Sequence, residues 1–424
     1  MKIIHTADLH LGQIIYQSYD RVDEHQHFFS QLTEWCHSER PDALLVSGDI
    51  FDIQQPSAAT KKAFNDYFVS LHQACPEMHI VITAGNHDSA SRIQADNSVW
   101  KLHKTHLIGI PPSLELLASD DTTWMNDYII TLESGYIIAL PFMMGDRQAL
   151  IQSILDHVAE MNTSLKPVVM MGHLAITGMD ATGHDIEIGK IKTLDIEAVG
   201  RGYDYLALGH IHKPQTIGHL EDCMTLERVT YPAGVIRYSG SALHISCDEQ
   251  YPHTVSVIDI DKHGGSVSIR QLRIHELRHF YTLPLGGGSY KSEKEALDGV
   301  KDFCINNIDG GYIRLQIDYN IGLSANFTQQ VYDLIAPYNG KVRYNAKIIW
   351  TGAPSIDESA QQKTIFEIAD LQQMTDPMTF IERTFSQYPR LNLEEVRIAF
   401  EEVKAEIIRE REEKEAKEKA KKQI

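Results

Sequence analysis

The fold of this chain is decided by Ile80-Val81-Ile82-Thr83-Ala84-Gly85-Asn86-His87-Asp88, where a short apolar run ends on polar residues. The β-branched residues of the run predict a buried parallel strand. Ligands of open α/β sheets bind at the carboxyl ends of such strands. Asn86 offers a neutral oxygen ligand, His87 a ligand or a proton donor, and Asp88 a partner for the His87 ring. Taken alone, the same residues are also typical of a surface turn.

Four other apolar runs also end on Asp or His. They are Met1-Lys2-Ile3-Ile4 before Asp8 and His10, Ala43-Leu44-Leu45-Val46 before Asp49, Val168-Val169-Met170-Met171 before His173, and Tyr205-Leu206-Ala207-Leu208 before His210 and His212. Histidine is a minor residue that turns do not favour, so ordinary turns do not explain five such ends. We therefore expect the five strand ends to converge on one site.

The composition indicates a soluble globular protein with more than one domain. The chain has 424 residues, of which 43% are apolar, an ordinary fraction. No stretch approaches the ~18 apolar residues of a membrane span, and the N-terminus lacks the apolar region of a signal peptide. The five cysteines are scattered and form no Cys-x-x-Cys pair, which indicates reduced thiols rather than disulfides or a zinc knuckle. We expect a cytoplasmic protein.

Two structured units precede the C-terminal region. Residues 1–275 alternate strands with helical stretches, such as Asp23–His37 and Ser57–Gln73, which favours an α/β fold with a central sheet between helices. Residues 276–352 read as a small β-α-β-α-β module. Its Gly-Gly-Gly-Ser run at residues 286–289 is not a P-loop, because no Gly-Lys-Ser/Thr follows it.

The C-terminal region combines a polar segment with predicted helices. Residues 353–375 indicate a linker, and residues 376–424 indicate helices with strong start signals. One helix carries an apolar a/d seam of about two heptads, formed by Leu393, Val396, Phe400, Val403 and Ile407. Such a seam either folds back on its own domain or docks on a partner, and sequence leaves these alternatives nearly even. After Ile408 the charged run indicates a solvated, fraying end.

The five strand ends supply seven oxygen or imidazole donors and no thiolate. They are Asp8, His10, Asp49, Asn86, His173, His210 and His212. Mixed imidazole and carboxylate donors suit Mn²⁺, Fe²⁺ or Zn²⁺ better than Mg²⁺ or Ca²⁺. Seven donors are too many for one ion, whereas one shared carboxylate would give two ions about four ligands each. Two ions ~3.5–4 Å apart suit in-line displacement at phosphorus. His87 is then placed to protonate the leaving oxygen, and Asp88 can hold its ring and raise its pKa.

These motifs resemble the calcineurin-like metallophosphoesterase family. The match includes Asp8-Leu9-His10, Gly48-Asp49-Ile50-Phe51-Asp52, Gly85-Asn86-His87-Asp88, Gly172-His173 and Gly209-His210-Ile211-His212. The resemblance implies a four-layer α/β sandwich with sheets flanked by helices. It also implies one Mn²⁺ on Asp8, His10, Asp49 and His212, and a second on Asp49, Asn86, His173 and His210, with Mg²⁺ or other divalent ions possible. His87 would be the catalytic histidine.

Further stretches are similar to the bacterial DNA-repair nuclease branch of that family. They are His5-Thr6-Ala7-Asp8-Leu9-His10-Leu11-Gly12, Asp185-Ile186-Glu187-Ile188-Gly189, Tyr205 to His212, and Tyr238-Ser239-Gly240-Ser241. This resemblance implies a nuclease domain over 1–275, a capping domain over 276–352 that helps engage DNA, and C-terminal helices that dock on an SbcC-type ATPase. It implies an exonuclease and endonuclease that cleaves DNA ends and hairpins, as a homodimer within a heterotetramer.

The net charge of −19 argues against a broad basic nucleic-acid surface but allows a local one. Candidate phosphate contacts are Lys61, Lys62, Arg92, Lys190, Lys192, Lys213 and Arg237, although such residues are more often plain surface charges. Ser57–Gln73 and Asn97–His106 are candidate helices for a dimer surface. Two alternatives stand beside the nuclease: a small-molecule phosphomonoesterase or cyclic-nucleotide phosphodiesterase with the same site, and a scaffold that has lost its metals.

Overall fold

The computed structural model of the chain describes residues 1–16, 18–182, 193–219, 225–246, 249, 251–307, 309–338, 340–352 and 397. The chain divides into two compact units, Met1–Gly352 and Ala353–Ile424, and the sheets formed by the described residues belong to the first. The predicted linker and terminal helices, with the seam formed by Leu393, Val396, Phe400, Val403 and Ile407, lie outside the described residues.

The described residues form eighteen strands. In chain order they are β1 Lys2–Thr6, β2 Ile14–Ile15, β3 Tyr19–Asp20, β4 Ala43–Ser47, β5 His79–Thr83, β6 Thr105–Ile108, β7 Ile129–Thr131, β8 Tyr136–Ala139, β9 Val168–His173, β10 Tyr205–Gly209, β11 Gln215–Thr216, β12 Val229–Tyr231, β13 Val235–Tyr238, β14 Thr254–Ile260, β15 Val267–Arg273, β16 Phe280–Leu283, β17 Gly311–Asp318 and β18 Val342–Thr351.

Helices alternate with these strands. They are α1 Val22–Glu39, α2 Ala58–Ala74, α3 Ala90–Ala95, α4 Asn97–Trp100, α5 Gln148–Met161, α6 Glu293–Asn306 and α7 Phe327–Ile335. Short 3₁₀ turns occur at Lys101–His103, Leu114–Ala118, Thr123–Asp127, Ile196–Val199 and Ala336–Tyr338. Within the described residues, no helix is both long and apolar enough to cross a membrane.

The predicted helices over Asp23–His37 and Ser57–Gln73 are confirmed as α1 and α2. The helix predicted over Asn97–His106 is wrong beyond its first turn. It ends at Trp100, a 3₁₀ turn follows, and Lys104 then takes a left-handed φ of 54°. The chain continues as β6, which pairs in parallel with β5 and buries Leu107 and Ile108.

Two sheets, rather than the single central sheet expected from the alternation, form the main body. One has seven strands in the order β12-β15-β14-β1-β4-β5-β6, and the other has six in the order β11-β13-β10-β9-β8-β7. Alternation of helices and strands does not say whether a later strand extends an existing sheet or begins another. Here α5 covers the second sheet, and the chain then returns to the first through β12 and, after β13, through β14, which pairs with β1.

The sheets pack face to face and helices cover their outer faces. Residues between the sheets include Leu45 and Val81 from the first sheet and Val169 and Ala207 from the second. Because successive strand residues point to opposite faces, the neighbouring residues Leu44 and Val46 pack outward, under helices α1 and α2. The four-layer α/β sandwich implied by the sequence resemblance is thereby confirmed.

The topology brings the five predicted strand ends to one edge. Strands β1, β4 and β5 run parallel in the first sheet. Strands β9 and β10 run parallel in the second. The chain leaves all five at their carboxyl ends, where donors from both sheets come together.

A smaller sheet follows, in the order β16-β17-β18, with parallel pairing throughout. Helices α6 and α7 cover it, and Val300, Phe303, Leu315 and Val331 lie in a core of its own. The observed elements follow the predicted β-α-β-α-β order. The domain boundaries predicted at residues 275 and 352 stay predictions.

A buried carboxylate joins the small sheet to the main body. Glu24, near the start of α1, is 2% exposed. It accepts hydrogen bonds from Arg21 at 2.6 Å, Arg343 at 3.1 Å and Arg278 at 3.2 Å. The Tyr312 hydroxyl, from β17, donates to the same carboxylate. We call Glu24, Arg21, Arg278, Arg343 and Tyr312 the junction cluster.

Candidate metal centre

The predicted donors meet in two neighbouring groups. Asp8, His10 and His212 form one, and Asp49, His173 and His210 form the other; in each group the potential ligand atoms lie within 4.8 Å of one another. A third group, with the same spacing, joins His10 to Asp52 and His87.

The backbone is strained where it presents these side chains. Four of the predicted donors have positive φ angles: Asp8 at 51°, His10 at 45°, Asp49 at 49° and His210 at 92°. Non-glycine residues rarely adopt this region, and such strain persists only where surrounding structure enforces it. It concentrates here at the ends of β1, β4 and β10, which turns the donors into the space between the sheets.

Glycines allow the strand ends to approach closely. A Cβ on Gly85 would lie 2.1 Å from Asp49 Oδ1, and one on Gly209 would lie 1.9 Å from the Ser47 carbonyl oxygen. Gly209 belongs to the second sheet and Ser47 to the first. The glycines beside the donors are therefore needed for the two sheets to meet at this edge.

The group around Asp49 combines donors from both sheets. His173 Nδ1 lies 2.9 Å from the Ser47 carbonyl oxygen, to which it must donate a proton. Its Nε2 faces Asn86 Oδ1 at 3.0 Å and Asp49 Oδ2 at 3.3 Å. His210 Nδ1 lies 2.9 Å from the same Asn86 oxygen.

In the group around Asp8, carboxylates orient the imidazoles. His10 Nδ1 lies 3.2 Å from Asp52 Oδ1, and His212 Nδ1 lies 2.7 Å from Glu249 Oε1. His10 Nε2 is buried, has no hydrogen-bond partner within the described part of the chain and lies 3.8 Å from Asp49 Oδ2. Asp8 is itself fully buried and accepts from the His210 backbone N–H at 2.9 Å.

These contacts fit divalent cations. In the neutral form that binds metals, the ring of His173 would carry its proton on Nδ1 and direct an Nε2 lone pair at two oxygens that also carry lone pairs. The buried His10 Nε2 has no hydrogen-bond partner among the described residues. A buried polar atom without a partner is costly, and a cation between such atoms would satisfy all of them. Imidazole and carboxylate donors suit Mn²⁺, Fe²⁺ or Zn²⁺.

Without metal ions, the pKa values of the donors at this edge are shifted in opposite directions. Burial raises the pKa of Asp8. Burial acts in the same direction on Asp49, but the adjacent His173 outweighs it and holds the pKa of Asp49 well below its usual range. Burial would lower the pKa of His173, but Asp49 raises it to about 9. Burial lowers the pKa of His212 to about 4, which keeps it in the neutral form that binds metals.

His87 lies beside the donors, but its predicted partner is wrong. Asp88 does not hold the His87 ring: its carboxylate accepts from the backbone N–H groups of Gly85 at 2.8 Å, Phe51 at 2.9 Å and Ile50 at 3.0 Å. It therefore fixes the loops after β4 and β5. His87 Nδ1 instead lies 2.9 Å from the Asp52 carbonyl oxygen. The His87 and His10 ring centres are 5.0 Å apart.

The candidate DNA contacts differ in their exposure and in their ion-pair partners. Arg237 is wrong, because it is 1% exposed and donates to Ser256 and Thr216 at 2.8 Å. Lys61 pairs with Asp96 at 2.8 Å and Lys62 with Asp66 at 2.5 Å, in exposed positions. Lys213 pairs with Asp180, and Arg92 is exposed on α3. Lys190 and Lys192 lie outside the described residues.

Sequence reasoning missed two carboxylates that support the donors. Asp52 stands in the Gly48-Asp49-Ile50-Phe51-Asp52 motif, so its proximity to the centre could have been inferred. Glu249 lies in no motif and 37 residues from its partner His212, and no sequence signal identified it.

Comparison with known proteins agrees with this geometry. A family profile described as calcineurin-like phosphoesterase matches residues 1–214. The chain is also similar to proteins named as the SbcD subunit of the nuclease SbcCD. It is 27% identical to that of Rhodobacter capsulatus over 320 residues, which are 68% of this chain and 72% of the relative.

For the SbcD protein of Escherichia coli K12 the identity is 28% over 285 residues, which are 60% of this chain and 65% of the relative. For that of Bacillus subtilis it is 26% over 272 residues, 61% of this chain and 66% of the relative. The matches thus span about two thirds of the relatives' lengths. Because the family profile covers half of its 424 residues, the chain belongs to the calcineurin-like phosphoesterase family.

Proposed function

We propose that the chain is the nuclease subunit of a DNA-processing complex. It would hydrolyse phosphodiester bonds at DNA ends and hairpins, in repair and recombination, together with an SbcC-type ATPase. The observation that carries the proposal is the meeting of two donor groups near Asp49, with His87 alongside. The relatives named as SbcD subunits of the nuclease SbcCD support the choice of substrate.

Two Mn²⁺ ions would share Asp49. Asp8, His10, Asp49 and His212 would hold one, and Asp49, Asn86, His173 and His210 the other. Bound ions of this kind supply a water of lowered pKa and neutralise charge on the phosphoryl oxygens. Asp49 suits the shared position because its Oδ2 lies within 4 Å of both His10 Nε2 and His173 Nε2.

His87 would protonate the leaving oxygen. Its Nδ1 donates to the Asp52 carbonyl oxygen, which fixes the ring and leaves the opposite nitrogen for a proton transfer. Its backbone N–H donates to Asp49 Oδ1 at 2.9 Å, so the same residue also holds the shared carboxylate. Asp88 would act only indirectly, through the loops that its carboxylate fixes.

DNA would reach the site across its more exposed cations. Arg92 on α3 and Lys61 and Lys62 on α2 stay candidates, because their side chains are accessible. The small sheet and α6–α7 would engage the duplex, and the seam from Leu393 to Ile407 would bind the ATPase. A homodimer would form through α2 and the segment after α3, where Val69, Val99 and Leu102 are 42%, 64% and 81% exposed.

The decisive experiment compares His87→Ala with wild-type protein on linear and hairpin DNA in Mn²⁺ and Mg²⁺, with and without an SbcC-type ATPase and ATP. General acid catalysis contributes about 10²–10⁴-fold, so we expect a loss of that size with metal content retained. The control is His37→Ala, which changes an exposed histidine at the end of α1. Wild-type cleavage by His87→Ala would disprove the role of His87.

The rival function is hydrolysis of small phosphate esters or cyclic nucleotides. It is tested by comparing nitrophenyl phosphate and cyclic nucleotides with DNA on wild-type protein. A preference for the small substrates would overturn the nuclease proposal.

Deleting residues after Asp376 tests the partner site: retained capture of the ATPase would show that the seam does not bind it.

A further inference from the structure

We propose that Glu249 is a positioning residue that fixes His212 for one of the two metal ions. The proposal rests on the metal site of the proposed function and deepens it. It assigns a role to a carboxylate that neither the motifs nor the family profile includes, since the profile ends at residue 214.

The contact between Glu249 and His212 determines the tautomer of the imidazole. Glu249 Oε1 lies 2.7 Å from His212 Nδ1. In its ionised form this carboxylate can only accept, so it holds the proton of the neutral ring on Nδ1. The Nε2 lone pair is then available to a metal ion, in a group whose other members are Asp8 and His10.

Glu249 is held in place by its own contacts. Its Oε2 accepts from the Ile245 backbone N–H at 2.9 Å and lies 3.4 Å from His253 Nε2. His253 Nδ1 is 2.8 Å from the Ser241 carbonyl oxygen, and Ser241 N–H donates to the His212 carbonyl oxygen at 3.0 Å. The hydrogen bond from the Ile245 backbone therefore anchors the carboxylate that faces His212 Nδ1.

The burial of this pair argues against a purely structural role. Glu249 is 1% exposed and His212 is 7% exposed. Within the described residues, the ion-pair partners of Glu249 are the imidazoles of His212 and His253, and no permanently charged side chain pairs with it to offset its desolvation. A cation on the far nitrogen of the imidazole would restore that balance, because the imidazole transmits the polarisation from ion to carboxylate.

The groups that orient the metal-binding histidines differ between the two ions, so loss of Glu249 should change the affinity for one ion more than for the other. His173, in the other group, is oriented by the uncharged carbonyl of Ser47. A carboxylate raises the basicity of a metal-binding imidazole and holds its orientation, and removing such a partner typically costs 10–100-fold in metal affinity. Loss of Glu249 should therefore weaken the ion held with Asp8 and spare the ion held with His173.

The test is calorimetric titration of metal-free full-length protein with Mn²⁺, comparing wild type with Glu249→Gln. We expect one of two binding events to weaken about 10–100-fold and the other to be unchanged. Asp204→Asn is the matched control, because Asp204 is fully buried and pairs with His263 at 3.1 Å before the start of β10, at the opposite end of that strand from His210. It should bind both ions as wild type does.

A second measurement does not depend on the variant folding. Histidine-selective ¹⁵N NMR of wild-type protein should show His212 as the Nδ1–H tautomer, with a downfield proton, before and after loading with diamagnetic Zn²⁺. An Nε2–H tautomer, or two unchanged Mn²⁺ affinities in folded Glu249→Gln, would overturn the inference while leaving the nuclease intact. Wild-type protein that binds no metal would overturn the proposed function together with it.

Discussion

Two buried carboxylate clusters in this molecule are neutralised in opposite ways. In the junction cluster, Glu24 accepts from three arginines. In the metal centre, Asp8 and Asp49 are as deeply buried, but the positive groups within reach are imidazoles. Guanidinium is always charged, whereas imidazole titrates near neutral pH.

This difference explains why the carboxylate of the junction cluster is already neutralised, whereas the carboxylates of the metal centre can still bind a cation. Buried carboxylates need a cation to offset their desolvation. Arginines of the chain itself supply that cation to Glu24, so the junction cluster holds the small sheet against the main body. Around Asp8 and Asp49, buried polar atoms such as His10 Nε2 have no hydrogen-bond partner among the described residues, which leaves room for an external cation.

The largest expected effect is that of Asp49→Asn. Because Asp49 faces donors of both groups, its neutral amide should weaken both Mn²⁺ ions by more than the roughly 100-fold that loss of an outer partner costs. DNA cleavage should fall with it. Calorimetry and a nuclease assay check this, and retention of two tight ions would mean that Asp49 is not shared.

Glu24→Gln should act on stability and spare the metals. Removing one partner of a buried ion pair typically costs about 3–5 kcal/mol, and three guanidiniums would lose their acceptor here. Urea unfolding measures the loss, and hydrogen exchange should rise in β17 and β18. The neighbouring Asp23→Asn is the control, since the side chain of Asp23 is 45% exposed and should contribute at most about 1 kcal/mol. Equal losses in the two variants would remove the contrast.

Added Mn²⁺ should raise the free energy of unfolding through the metal centre and not through the junction cluster. At a Mn²⁺ concentration about 100 times Kd, binding of each ion adds about 2.7 kcal/mol to the free energy of unfolding. Wild type and Glu24→Gln should gain the same increment over their EDTA-treated forms, and Asp49→Asn should gain little. An increment that depended on Glu24 would show that the clusters are coupled.

The smallest effect concerns pH in metal-free protein. Burial would lower the pKa of His173, but Asp49 raises it from 6.5 to about 9. The stabilisation from this pair is therefore fully present below pH 6.5 and is lost as pH rises through about 9. Urea unfolding in EDTA at about pH 6 and about pH 9.5 measures it. Asp49→Asn should flatten the difference, and an unchanged slope would contradict the assignment.

Sequence was informative where function resides in short motifs. Each predicted donor follows directly from a β-branched or apolar run, so local pattern was enough to place it at a strand end. The partners that fix those donors were not accessible in the same way. Asp88 was assigned to the His87 ring because the residues are adjacent, yet the turn aims its carboxylate at backbone amides of another loop.

Long-range packing accounts for the other differences. Arg237 was predicted as a surface cation, but β13 directs it toward Ser256 of the other sheet. Glu249 meets His212 only after the chain has returned from β13 toward β14. The presence of two sheets depends on which strands pair, and periodicity does not encode pairing. These features require the tertiary fold.

The contact between Asp8 and the backbone of His210 spans 202 residues of chain, and β1 is completed only by pairing with β14, which ends at Ile260. A ribosome would therefore have to release the chain through Ile260 before either ion could find its full set of ligands. Metal loading would then wait for β14 to leave the ribosome, and a nascent chain halted earlier would be inactive.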